Sequence, residues 1–215
     1  IIDIDKEVLE GKEIEEKIIV NMIGSINLNS GSQTIMGSAC RLIIKKSLLK
    51  KHSLNFKVGI PLMEDLIFCV DVLQKSKRVK IHNDIFYHYM QNENSAIRTY
   101  RENMFNLQLK AFEELERIVE KNGNSTIVKE RLDTRYVNII LTSILNEARK
   151  ENNKDIKDKI RSIKIFCSDE RLQIILRETS TKGYTIRKKI VLFAVRYKLS
   201  RFLYFYYKGL LKFVG

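Results

Sequence analysis

The stretch Pro61-Leu62-Met63-Glu64-Asp65-Leu66-Ile67-Phe68-Cys69-Val70-Asp71-Val72-Leu73 joins the chain's only proline to an acidic pair and an apolar run. Leu66, Ile67, Val70, Val72 and Leu73 recur at helical spacing, so a helix is expected to open at Glu64 and Asp65. Carboxylates in that first turn meet the positive end of the helix dipole. Immediately upstream, Phe56 to Met63 contains Gly59 and Pro61 and reads as a loop whose backbone is set firmly before the acidic pair.

Toward the N-terminus, Ser38 to Ile44 is short and largely apolar, which suits a buried strand, and Lys45 to Lys51 suits a helical turn after it. Asn27 to Gly37 is polar and rich in Ser, Asn and Gly, hence a loop. Val8, Leu9, Ile14, Ile18, Ile19 and Met22 alternate with charged residues in the manner of a helix entered after the Glu10-Gly11 break.

Toward the C-terminus, a second short strand fits Val79 to Ile81, and Ile85 to Met90 reads as an aromatic-rich strand or extended segment. Beyond Ser95 the pattern changes to long amphipathic helices, the first with Met104, Leu107, Ala111, Leu115 and Ile118 on one face. Gly123 breaks it. A second helix is expected from about Ser125 to Arg149, with shorter ones at Asp155 to Phe166 and Ser168 to Arg177. The fold class is therefore α/β passing into all-α. Three parts are expected: residues 1–97, a helical domain at 98–183, and a basic amphipathic helix at 184–215.

The 215 residues suffice for a full hydrophobic core, and 44% hydrophobic with 30% charged content fits a globular rather than a disordered chain. The chain opens at Ile1 without a basic-then-apolar leader and reads as a fragment. Cys40, Cys69 and Cys167 lie far apart with no CxxC pair, so all three are expected to be reduced, buried, small apolar residues. The net charge of +13 is uneven: residues 184–215 carry eight basic side chains and no acid.

The order of apolar strand, basic turn, Gly/Pro loop, Glu-Asp pair, helix and aromatic segment resembles the family 2 glycosyltransferases of the GT-A fold. The likeness is to those of bacterial capsule and cell-surface polysaccharide clusters. The residues that carry it are Cys40-Arg41-Leu42-Ile43-Ile44-Lys45-Lys46-Ser47-Leu48-Leu49, Leu54-Asn55-Phe56, Met63-Glu64-Asp65-Leu66-Ile67-Phe68, and Phe86-Tyr87-His88-Tyr89 with Asn94-Ser95. They span roughly residues 8–97. Leu42, Ile44 and Met90 stand where the family often carries a lysine, an aromatic residue and an arginine.

The resemblance implies that the parent enzyme transfers a sugar from a nucleotide sugar to a glycan or lipid-linked acceptor with inversion. It places the base on Asp65, with Glu64 orienting the acceptor or the loop. Such a transfer needs one carboxylate within hydrogen-bond reach of the attacking hydroxyl. The competing reading is that Glu64 and Asp65 simply begin a helix. His88 is either a neighbour of the nucleotide-bound metal or a structural histidine among aromatics. Tyr87 and Tyr89 are expected to face together, with core packing as the role of one or both.

The resemblance also implies Mn²⁺ or Mg²⁺ held against the diphosphate by an Asp-x-Asp group. Asp3-Ile4-Asp5 has those letters, but only two residues precede it, and it is read as a chance match. The implied nucleotide-binding half, roughly a hundred residues, would then lie outside this sequence, leaving the fragment inactive and without a cofactor of its own.

Residues 184–215 contain no proline, so one helix of about 45 Å is expected, at about 1.5 Å per residue. On its wheel Arg187, Lys198, Arg201, Lys208 and Lys212 share one sector, with Leu192, Leu199, Leu203, Tyr207, Leu210, Leu211 and Val214 opposite. The uncharged runs are too short to cross a bilayer. A basic, aromatic-rich amphipathic helix suits an anionic membrane surface, where a lipid-linked acceptor would also sit. That would place the protein in the cytoplasm, peripheral at the inner face of the cell membrane. The bland alternative is a helix packed on its own domain or on a second copy. A further alternative is a basic helical module binding nucleic acid or protein, although large aliphatics interleaved with the cations and the lack of a nucleic-acid motif argue against nucleic acid.

Overall fold

Two short strands begin the architecture. The computed structural model describes residues 7–28, 35–82, 84–88, 90, 99–121 and 125–214. Val8–Glu10 forms β1. It pairs antiparallel with Arg78–Lys80, which is β2, placing Leu9 opposite Val79. Leu9 is fully buried while Val8 and Glu10 face outward, the alternation that a strand imposes. Opposite charges brace the ladder: Lys80 Nζ lies 2.8 Å from Glu7 Oε1, and Arg78 Nη1 lies 3.9 Å from Glu10 Oε1.

After β1, Gly11 takes a positive φ of 56° and turns the chain into the helix expected there. That helix consists of α1 (Lys12–Ile14), a π-helical turn at Glu15–Ile19, and α2 (Val20–Ile23). Ile14, Ile18, Ile19, Met22 and Ile23 are all buried. Its last carbonyls, which a helix end leaves without partners, are met by Arg135: Nε donates to the Ile23 oxygen at 2.6 Å and Nη2 to the Met22 oxygen at 3.0 Å. Gly24 follows so closely against the backbone of Arg131 that a Cβ there would stand 2.2 Å from its carbonyl oxygen.

A single 3-10 turn at Ala39–Arg41 leads to α3 (Lys46–His52), and α4 (Glu64–Lys75) follows the Gly/Pro loop. α4 begins at Glu64, as its apolar spacing requires, and buries Leu66 through Val70 together with Val72 and Leu73. Leu54, Phe68 and Val72 form a small core on which Ala39, Ile44, Leu48 and Leu49 pack.

The expected buried strand at Ser38 to Ile44 is not formed. No residue of the 3-10 turn is buried and Ile43 is 85% exposed. A strand needs a neighbour for its ladder, and the sheet among the described residues has β1 and β2 alone. The same lack of a neighbour governs Ile85 to Met90, whose described residues are exposed and outside regular structure. Tyr87 is therefore not a core residue, being 56% exposed. Tyr89 and the pair Asn94-Ser95 lie outside the described residues, as does Asp3-Ile4-Asp5.

The remaining elements are helices: α5 (Met104–Glu120), α6 (Thr126–Glu147), α7 (Ile156–Cys167), α8 (Glu170–Glu178), α9 (Ile186–Arg196) and α10 (Ser200–Val214). α5 to α8 fall where the amphipathic patterns put them. Asp169 caps α8 by accepting from the Leu172 N–H at 2.8 Å. Thr185 caps α9 by accepting from the Lys188 N–H at 3.3 Å. The described residues are thus mostly helical with one two-stranded sheet, an α/β beginning that passes into all-α.

The chain divides into two compact units, Ile1–Met90 with Asn106–Arg135, and Gln91–Phe105 with Tyr136–Gly215. In the second unit the Asn146 amide clasps the backbone of Arg101, accepting from its N–H at 3.0 Å and donating to its carbonyl at 2.8 Å. Buried Glu147 accepts from Asn152 Nδ2 at 2.9 Å and from Lys154 Nζ at 3.2 Å.

The single C-terminal helix expected from residue 184 is two helices. Lys198 adopts φ 55°, its N–H donates to the Val195 carbonyl at 3.1 Å, and the Leu199 N–H reaches the Ala194 carbonyl at 2.8 Å. These are the bonds of a Schellman stop, with lysine in the place that glycine usually fills. The break corrects the wheel drawn for one continuous helix: Arg201, Lys208 and Lys212 share a face of α10, whereas Arg187 stands on α9 and Lys198 in the turn.

Candidate functional site

The acidic pair sits at the mouth of α4 because the loop before it is pinned from several sides. Phe56 stacks on Phe68 of α4 at 4.3 Å between ring centroids. Lys57 Nζ stands 3.7 Å from Asp71 Oδ2 on α4 and 3.6 Å from Glu114 Oε1 on α5. Lys110 Nζ donates to the Gly59 carbonyl at 3.1 Å. Gly59 has φ 78°, and Met63 takes φ 58°, a left-handed backbone that side chains other than glycine adopt at a cost of about 1–3 kcal/mol. The Met63 carbonyl then accepts the first helical bond, from the Ile67 N–H at 3.0 Å.

Asp65 and Glu64 are both half-buried. Ser38 Oγ donates to Asp65 Oδ2 at 3.2 Å. Ser38 has one hydroxyl proton, so the 3.1 Å contact between Cys40 Sγ and Ser38 Oγ has the thiol as donor. Cys40, Ser38 and Asp65 thus form a short relay ending on the carboxylate. Gly37 makes the close approach feasible: a Cβ there would meet Leu66 Cδ1 at 2.5 Å and Leu66 Cα at 3.1 Å. Asp65 Oδ1 takes no hydrogen bond among the described residues, so the pair of oxygens is divided into one that is held and one that can accept a proton.

Cys69, one turn below Asp65, has its thiol pushed up to about 12 by burial, with its closeness to Asp65 and Cys40 adding to the effect. It is a protonated, unreactive core residue. Cys167 is buried likewise, and burial pushes its thiol up to about 12. Cys40 departs from expectation: it is exposed.

His88 lies exposed in the segment after β2, and no hydrogen bond, ion pair or ring contact joins it to Glu64 or Asp65 among the described residues. Among the described residues no group of three or more His, Cys, Asp or Glu side chains is arranged to hold a metal ion. Arg187, Lys198, Arg201, Lys208 and Lys212 are all exposed, and Arg187 Nε donates to Tyr206 Oη at 2.7 Å.

Ser38 is the site residue that sequence reading assigns no role, since it stands 27 residues from the carboxylate it serves. Its only local signal is the Gly37-Ser38 pair that closes a polar loop.

The chain is similar to a protein of Bacillus subtilis (strain 168) named "Putative glycosyltransferase EpsH", with 22% identity over 170 residues. The similarity covers 78% of this chain and 49% of that protein, so the chain spans about half the length of this relative. No protein-family model and no solved structure matches the chain.

Proposed function

We propose that this chain is the acceptor side of an inverting, family 2-like glycosyltransferase in which Asp65 is the base. The observation that carries the reading is the state of Asp65: half-buried at the start of α4, with Oδ2 held by Ser38 at 3.2 Å and Oδ1 left to receive a proton. The similarity to a protein named as a glycosyltransferase supports the same class.

In this reading the acceptor hydroxyl gives its proton to Asp65 Oδ1 as its oxygen attacks the anomeric carbon. Attack comes from the face opposite the nucleoside diphosphate, whose bond to that carbon breaks with the electron pair leaving on the phosphate oxygen. Glu64 orients the acceptor, and the pinned loop from Phe56 to Met63 keeps the carboxylate in place for attack. The donor is a nucleotide sugar and the acceptor a glycan or lipid-linked saccharide. A Mn²⁺ or Mg²⁺ in the whole enzyme would offset charge on the leaving diphosphate. Asp65→Asn in the full-length protein tests the reading, since it keeps the size of the side chain and an oxygen for Ser38 while removing the basic group.

A further inference from the structure

We propose that α9, with the turn after it and the outer face of α10, is a docking surface for an anionic lipid bilayer. α9 is apolar on two opposite faces. Val191, Leu192 and Val195 are buried at 5%, 3% and 0% exposure, which accounts for one face by folding. Ile186, Ile190, Phe193 and Tyr197 are exposed at 77%, 46%, 56% and 58%. At about 100° per residue those four fall within roughly 60°, opposite the buried face. The Phe193 and Tyr197 rings lie against each other at 4.4 Å on this uncovered stripe.

The charges around the stripe identify its occupant. Lys189 and Arg196 border it on one side and Arg187 on the other, all exposed. α10 adds a basic face, with exposed Arg201, Phe205, Lys208 and Lys212 at helical spacing. No acid occurs between residues 184 and 215, and Glu170 of α8, which lines a pocket with Arg196, Tyr197 and Lys198, offsets only part of their charge. Phosphate headgroups supply that missing charge, and the long Lys and Arg stems let their cations stay at headgroup level while the aromatic and aliphatic side chains enter below. No described helix is long and apolar enough to cross a membrane, so the contact is peripheral. This inference is independent of Asp65 and of sugar transfer.

The test is co-sedimentation of the full chain with phosphatidylcholine vesicles, alone or containing phosphatidylserine. The chain is expected to bind the anionic vesicles roughly tenfold or more tightly than the neutral ones, and less tightly as salt rises. Ile190→Glu with Phe193→Glu is expected to lower that binding roughly tenfold or more without moving the melting temperature, because both residues are exposed. Lys189→Glu with Arg196→Glu, which leaves the stripe intact, is expected to do the same through charge alone. Equal binding to neutral vesicles, no binding to either kind, or binding untouched by both double variants would overturn the proposal. So would salt-dependent binding to a DNA duplex in place of vesicles.

Discussion

Ser38 Oγ donates a hydrogen bond to Asp65 Oδ2 at 3.2 Å, tying the end of a polar loop to the first turn of α4 across 27 residues of sequence. The bond fixes one carboxylate oxygen and thereby aims the other. Ser38→Ala is expected to lower kcat roughly tenfold, the scale of one hydrogen bond to a charged group, while leaving the KM for the donor unchanged. Ser38→Thr, which keeps the hydroxyl, is expected to recover most of the loss. Steady-state kinetics on the full-length protein would check both, and a KM effect with kcat intact would argue against a positioning role.

Gly24 has no room for a side chain. A Cβ would stand 2.2 Å from the Arg131 carbonyl oxygen and 3.0 Å from its carbonyl carbon, both backbone atoms that yield little. Gly24→Ala is therefore expected to destabilise the chain by about 3 kcal/mol, measured by urea unfolding.

The thiols separate by burial. At pH 8, Cys40 is expected to react readily with a thiol reagent in the native chain, whereas Cys69 and Cys167 react only after denaturation. Both buried thiols keep their protons to about 12 when folded, against the ordinary thiol value of 9.0 when exposed. Between those values the folded chain binds more protons than the unfolded one. Stability is thus expected to fall as pH rises above 9, as the unfolded chain loses thiol protons that the folded chain keeps. Urea midpoints at pH 8 and pH 10.5, compared with those of the Cys69→Ala, Cys167→Ala double variant, isolate the thiol contribution.

Lys198 ends α9 with a left-handed backbone that lysine enters at a cost of about 1–2 kcal/mol. Lys198→Gly removes that cost but adds freedom to the unfolded chain, so a net gain of about 0.5–1 kcal/mol is expected. Thermal melting would register it as a higher midpoint. A lower midpoint would mean that the left-handed turn is not the native one.

What was legible in the sequence follows from how local its causes are. Leu66, Ile67, Val70 and Leu73 announce α4 because their spacing follows the helical repeat, although Phe68, Cys69 and Val72 are buried as well, whereas Ala111, Leu115 and Ile118 mark the one face of α5 that enters the core. Ser38 to Ile44 forms no strand, and its apolar run does not disclose whether a neighbouring strand is there to pair with it. The stop between α9 and α10 carries no glycine or proline; Lys198 takes the left-handed place that glycine usually fills, and nothing in its residue type announces it. The acidic pair was visible as a feature of sequence, whereas the hydroxyl that holds Asp65 was not, because only folding brings Ser38 to it.

The central claim is that Asp65 takes the proton from the acceptor. The most direct measurement is sugar transfer by the full-length protein carrying Asp65→Asn, with nucleotide-sugar binding measured in parallel by calorimetry. The expected result is a fall in kcat of roughly 10²–10⁴, the usual contribution of a general base, with donor affinity retained. Transfer within a fewfold of wild type would contradict the assignment.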